Sequence, residues 1–76
     1  MIYNRLKLLR TDRGLSRQQL ADMLDVNYQT VGFIERGDYL PSLELAFQIA
    51  STLEASVTDV FSDQPFSPLI ERKPQE

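Results

Sequence analysis

The 76-residue chain contains no cysteine and no histidine. Without cysteine it has no disulfides and no thiolate metal sites. Without histidine, Ser-His and Cys-His catalysis, His-ligated zinc and the usual pH switch are all excluded. Glycine is scarce and scattered, at three residues, so there is no Gly-rich phosphate loop. No apolar run approaches the ~18 residues of a membrane span. The N-terminus lacks the apolar stretch of a signal peptide, so the cytoplasm is the expected location. No carboxylate pair is placed on one face. The expectation is therefore a protein that is not an enzyme, with no metal, cofactor, small-molecule substrate or membrane partner.

What is present suits one small core. Apolar residues make up 42% of the chain, enough for a compact domain and too many for disorder. The net charge of −3 opposes polyanion binding when taken alone. Its distribution says more. Residues 1–36 carry six basic and four acidic groups, whereas residues 37–76 carry two basic and seven acidic ones. A mildly basic half joined to a strongly acidic one suggests two faces with different tasks. The acidic half can repel a polyanion from the wrong side or simply keep the surface soluble.

Helical periodicity with caps recurs along the chain. Leu6 and Leu9 mark a first helix over about residues 4–13, stopped by Gly14, with Leu8 off its stripe. Ser16 and Gln19 form a capping-box pattern that opens a second helix with Leu20, Ala21 and Leu24 on one face. Asp25 tolerates a left-handed turn, and Asn27 is a good N-cap for a third helix over about 28–36. Val31 and Ile34 face inward there, and Gly37 ends the helix. The short gap between the second and third helices fits a helix-turn-helix. Ser42 opens a fourth helix with an apolar stripe of Leu43, Ala46, Phe47, Ala50 and Leu53. Ser56 and Asp59 cap a short fifth helix that ends with Val60 and Phe61. Pro65 and Pro68 then exclude a helix, and Glu71 to Glu76 are polar. These changes divide the chain into a domain over 1–62 and a tail over 63–76, the latter a candidate strand or dimerisation segment.

Leu15-Ser16, Leu20-Ala21, Val26, Gln29-Thr30-Val31, Ile34-Glu35-x-Gly37, Pro41-Ser42-Leu43 and Asp59-Val60-Phe61 stand in one collinear order. With them, the stretch Asn4 to Phe61 closely resembles the Xre/Cro-like, lambda-repressor-like helix-turn-helix domain of bacterial and phage regulators. One departure is Asp25, where that family commonly has Gly. The resemblance implies an all-α, five-helix lambda-repressor-like bundle. Some short members also pair their terminal segments as antiparallel strands, for which Ile2-Tyr3 and a segment near Phe66 are the candidates here.

The resemblance further implies binding to double-stranded DNA as a homodimer on a palindromic operator, with transcriptional regulation, most often repression, as the outcome. In this motif the third helix enters the major groove. Tyr28, Gln29, Gly32 and Phe33 face outward as candidate base readers. Gln29 can pair bidentately with adenine, and Gly32 lets the backbone come close to the DNA. The alternatives are a solvated Gln29 and a core or dimer role for Phe33. Arg17, Gln18, Asn27, Thr30, Arg36 and Tyr39 are candidate phosphate or edge contacts, each with a plain surface role as its alternative. Arg10 and Glu35 match the family's structural ion pair. Phe61, Phe66, Leu69 and Ile70 are candidates for dimerisation. Two rival readings remain open: an antitoxin or controller that also binds a protein partner, and a protein-interaction module without DNA binding.

Overall fold

The computed structural model describes residues 1–67 as five helices and a two-stranded antiparallel pair. Their order is β1 (Tyr3–Asn4), α1 (Leu6–Asp12), α2 (Arg17–Leu24), α3 (Tyr28–Glu35), α4 (Leu43–Thr52), α5 (Val57–Val60) and β2 (Phe61–Ser62). Polar side chains placed at the helix starts open four of the helices by taking up backbone N–H groups that would otherwise lack partners. Ser16 Oγ accepts from the Gln19 N–H at 3.0 Å, and Gln19 Oε1 accepts from the Ser16 N–H at 2.8 Å. Asn27 Oδ1 accepts from the Gln29 N–H, and Ser42 Oγ from the Leu45 N–H. Ser56 and Asp59 make the second reciprocal capping box.

The helix ends share one device. After α3, the Gly37 N–H donates to the Ile34 carbonyl and the Asp38 N–H to the Phe33 carbonyl. This pattern requires a left-handed residue at Gly37, whose φ is +79°. Asp25 takes the equivalent place after α2 at φ 58°, and Glu54 takes it after α4 at φ 56°. Asp25 therefore makes the turn for which the family commonly uses Gly, while the left-handed Glu54 carries no residue-type signal in the sequence. Both carry a steric cost that glycine would avoid.

The core lies between the helices. Leu6, Leu20, Ala21, Val31, Ile34, Ile49, Leu53 and Val60 are buried in it. α2 packs most extensively on α3, and α4 packs on α2 and α5. The expected stripe on α4 is corrected. Ala46, Ile49, Ala50 and Leu53 are buried, whereas Leu43 is 71% and Phe47 58% exposed. α4 carries apolar residues on more than one face, and at about 100° per residue Leu43 and Phe47 fall on one side of the buried arc, about 20° and about 60° beyond Ala50. Leu8 is likewise exposed.

The termini pair, but not in the expected register. Tyr3 faces Ser62 and Asn4 faces Phe61, so the second strand directly follows α5 and does not lie near Phe66. α1 starts at Leu6 and not at Asn4 because Asn4 belongs to β1. The Asn4 side chain joins three elements: Oδ1 accepts from the Leu6 N–H at 3.0 Å, and Nδ2 donates to the Ile34 carbonyl at 3.0 Å. The Arg5 N–H donates to the Val60 carbonyl, which closes the junction. No helix among the described residues is long and apolar enough to cross a membrane.

Two measurements check this account. Leu20→Ala removes a fully buried side chain, and urea denaturation should register a loss of about 2–5 kcal/mol. Leu43→Ala should stay within about 0.5 kcal/mol in the same assay. The second measurement concerns acid. The Ser56 backbone N–H, followed by the Ser56 hydroxyl, holds Asp59 below the usual aspartate range. A carboxylate with a depressed folded-state pKa stabilises the fold above its unfolded pKa, and that contribution is lost as the pH falls through the folded value. Thermal melts of the wild type across the acid range should show this step, and Asp59→Asn should lack it.

Candidate nucleic-acid interface

The outward surface of α3 is set by the residues that anchor its inner side. Val31 and Ile34 are buried, and this rotation turns Tyr28, Gln29 and Phe33 to the exterior. Tyr28 and Phe33 are each a little under half exposed. A large aromatic pair beside a glutamine on one helix face offers apolar contact and a directional amide together.

Glu35 fixes the helix in place. Its carboxylate is 2% exposed and accepts from two arginines on different helices. Arg10 of α1, 8% exposed, donates from Nε to Oε2 at 2.5 Å. Arg17 of α2, 34% exposed, donates from Nε to Oε1 at 3.0 Å. Arg10 also donates from Nη1 to the Leu15 carbonyl at 2.8 Å, which ties in the segment before α2. The hydrogen bond from Arg17 to Glu35, and then the charge of Glu35, make the Arg17 guanidinium still harder to deprotonate than usual. The expected Arg10–Glu35 pair is present. The participation of Arg17 could not be read from linear spacing, because Arg17 and Glu35 meet only when α2 crosses α3.

Three further side chains rim this surface. The Arg36 guanidinium lies 5.1 Å from the centre of the Phe33 ring and pairs with Asp38 at 3.2 Å. Thr30 is half-buried, and Tyr39 is exposed. Two expected contacts already have partners within the chain. Gln18 Nε2 donates to Asp22 Oδ1 at 2.9 Å, and Asn27 Oδ1 caps α3. The expectation for Gly32 is corrected: it is buried, and Arg17 and Arg36 cover it. Its backbone is therefore not bare on the surface.

The residues expected at a dimer surface are divided. Phe61 is half-buried and packs against the core. Phe66 is half-buried, with the Arg5 guanidinium 4.5 Å from its ring centre. Leu69 and Ile70 lie outside the described residues.

A short capped turn between α2 and α3, with α3 pinned so that an aromatic–amide face with cationic edges points outward, is the architecture of a DNA-binding helix-turn-helix. The helix-turn-helix family model HTH_3 matches residues 6–60. The chain accordingly belongs to the Xre/Cro-like helix-turn-helix family of DNA-binding transcriptional regulators, which are not enzymes. It is 43% identical over 58 residues to an uncharacterized HTH-type transcriptional regulator of Bacillus subtilis, YgzD, covering 76% of this chain and 88% of that one. It is similar to the solved structure of the clp gene regulator ClgR from Corynebacterium glutamicum, with a TM-score of 0.68 and 33% identity. That match covers 71% of this chain and spans 57% of the ClgR chain. It is also similar to the restriction-modification controller protein C.AhdI from Aeromonas hydrophila, with a TM-score of 0.67 and 33% identity. There the match covers 71% of this chain and 82% of that one.

The buried carboxylate makes the ion-pair network costly to break. Arg10→Ala leaves Glu35 buried with one partner, and chemical denaturation should show a loss of about 3–5 kcal/mol. Arg13→Ala removes the exposed pair with Glu54, at 2.9 Å, and should cost less than about 1 kcal/mol.

Proposed function

We propose that the protein binds a specific double-stranded DNA operator as a homodimer and represses transcription by occupying a promoter. The observation that carries this reading is the outward face of α3, where Tyr28, Gln29 and Phe33 stand between Arg17 and Arg36. Gln29 is exposed and its side-chain amide has no assigned hydrogen bond among the described residues. In the major groove it pairs with the N6 and N7 positions of adenine. Tyr28 and Phe33 pack on thymine methyl groups or sugars. Arg17, Arg36, Thr30 and Tyr39 contact phosphates or the edge of the site and fix the register. The net negative charge makes the non-specific electrostatic attraction weak, so the base contacts carry a large share of the selectivity.

Dimerisation follows from the small size of one recognition face. Two copies reading half-sites about one turn apart, roughly 34 Å, multiply the number of base contacts. The surface for the second copy draws on Phe66 and on Leu69 and Ile70 beyond it. Phe61 contributes less, because its side chain already packs on the core. A second reading, favoured by the likeness to C.AhdI, is that the protein acts as a controller. Cytoplasmic residence accords with either role.

The deciding experiment is selection of bound duplexes from a random DNA library at low and near-physiological salt. The expected product is a palindrome that survives the higher salt. Binding without a motif, lost as salt rises, would overturn the reading. On the selected operator, Gln29→Ala should weaken binding by about 1–3 kcal/mol and relax preference at one base pair. Unchanged affinity and selectivity would remove Gln29 from base readout.

A further inference from the structure

Gly32 stands in the middle of α3, where glycine is a much poorer helix former than alanine. Its φ is not in the left-handed range, so the backbone does not require glycine there. What its missing side chain provides is space. A Cβ at this position would lie 3.3 Å from Arg36 Nη1, 3.8 Å from Arg17 Nε and 3.9 Å from Arg17 Cδ. Two guanidinium groups, from α2 and from the end of α3, thus converge over one residue. Around them is a recess of about 190 Å³ lined by Arg17, Tyr28, Gln29, Gly32, Phe33 and Arg36.

The two arginines are held in different ways. Glu35 engages Arg17 through Nε, and the terminal amino groups of Arg17 make no ion pair among the described residues. Arg36 also uses Nε, on the exposed carboxylate of Asp38, and lies over Phe33. The planar terminal edge of Arg36, which can donate two parallel hydrogen bonds, is not the edge paired with Asp38, and Arg17 beyond its bond to Glu35 lies beside the Tyr28 hydroxyl that lines the same recess. Two like charges brought this close favour an electron-rich group between or beside them.

We propose that Gly32 is a positioning residue: it leaves the space in which Arg17 and Arg36 converge, and the recess so formed takes a pair of adjacent acceptor atoms on DNA. Such pairs occur on the guanine edge, as O6 and N7, and on the phosphodiester, as its two free oxygens. The inference rests on the DNA-binding reading above and adds to it a determinant that touches no DNA itself.

The test uses the full chain and the selected operator duplex. Binding and thermal melting are measured for wild type, Gly32→Ala, Gly32→Leu, Arg17→Ala and the double variant Gly32→Leu/Arg17→Ala. Leucine is the better helix former, so a residue with only a local structural role would leave Gly32→Leu at least as stable and as tightly bound. The expected result is a variant that still folds and melts cooperatively, with binding weakened about tenfold or more, the scale of a lost charged hydrogen bond. The double variant should bind little worse than Gly32→Leu alone, because both changes remove the same contact. Equal binding by wild type and Gly32→Leu, or losses that simply multiply in the double variant, would overturn the proposal. If leucine prevents folding, Gly32→Ala decides. It displaces the flexible end of Arg36 and should lose severalfold in affinity, and unchanged or tighter binding would overturn the inference.

The behaviour of Arg17→Ala assigns the acceptor. Relaxed selection at one G·C pair identifies guanine, whereas an even loss across sequences with a salt slope reduced by about 1 identifies phosphate. If wild type selects no duplex at all, the DNA reading falls and this inference falls with it. If wild type binds and the Gly32 variants bind equally well, only the inference falls.

Discussion

One buried carboxylate organises the surface that matters. Glu35 lies at the end of α3, almost out of solvent, where an unpaired charge would be severely penalised. Its compensation comes from two other helices, Arg10 on α1 and Arg17 on α2. The three helices are therefore not free to shift separately: moving α3 would strip a buried charge of a partner. Arg10 adds a bond to the Leu15 carbonyl, so the segment leading into α2 is held by the same group. A recognition helix must keep its pose against the pull of a ligand, and a buried charge with directional partners resists such rotation better than apolar contacts alone.

The rest of the fold supports that arrangement with little material. A domain of this size buries a modest core, and local devices at the helix ends count for more than in a larger protein. Caps at Ser16, Asn27, Ser42 and Ser56 set the starts, and left-handed residues set the stops. Asn4 ties the N-terminal strand both to α1 and to the carbonyl of Ile34, next to the buried carboxylate. The short β pair joins the beginning of the described chain to the end of α5. Both strands therefore buttress the bundle, and Asn4 anchors α3 near its C-terminal end from a second side.

Much of this is legible in the residues alone. Capping patterns are local: Ser16 with Gln19 and Ser56 with Asp59 act over three residues, so spacing alone reveals them. The left-handed turn at Asp25 was legible for the same reason. The buried stripe of α4 is not legible, because a helix with apolar residues on several faces does not announce which face meets a neighbour. Leu43 and Phe47 look like core by composition, yet α2 and α5 pack against the arc of Ala46, Ile49 and Ala50. The strand register was misplaced because two residues per strand carry too little pattern to specify a partner.

The candidate site divides along the same line. The helix-turn-helix resemblance marks α3 as the recognition helix, and a 3.6-residue period with Val31 and Ile34 inside puts Tyr28, Gln29, Gly32 and Phe33 outside; Gly32 alone of these is buried in the fold. The Arg10–Glu35 pair came from family resemblance, and their spacing did not require it. The third member, Arg17, and the role of Gly32 were beyond reach, because both depend on where α2 crosses α3. In sequence, Gly32 is a weak point in a helix. In three dimensions it is the floor on which two arginines from different elements come together. Contacts within a turn of helix are fixed by bond geometry and period, and they can be read along the chain. Contacts between helices depend on crossing angle and side-chain reach, and only the assembled fold supplies those.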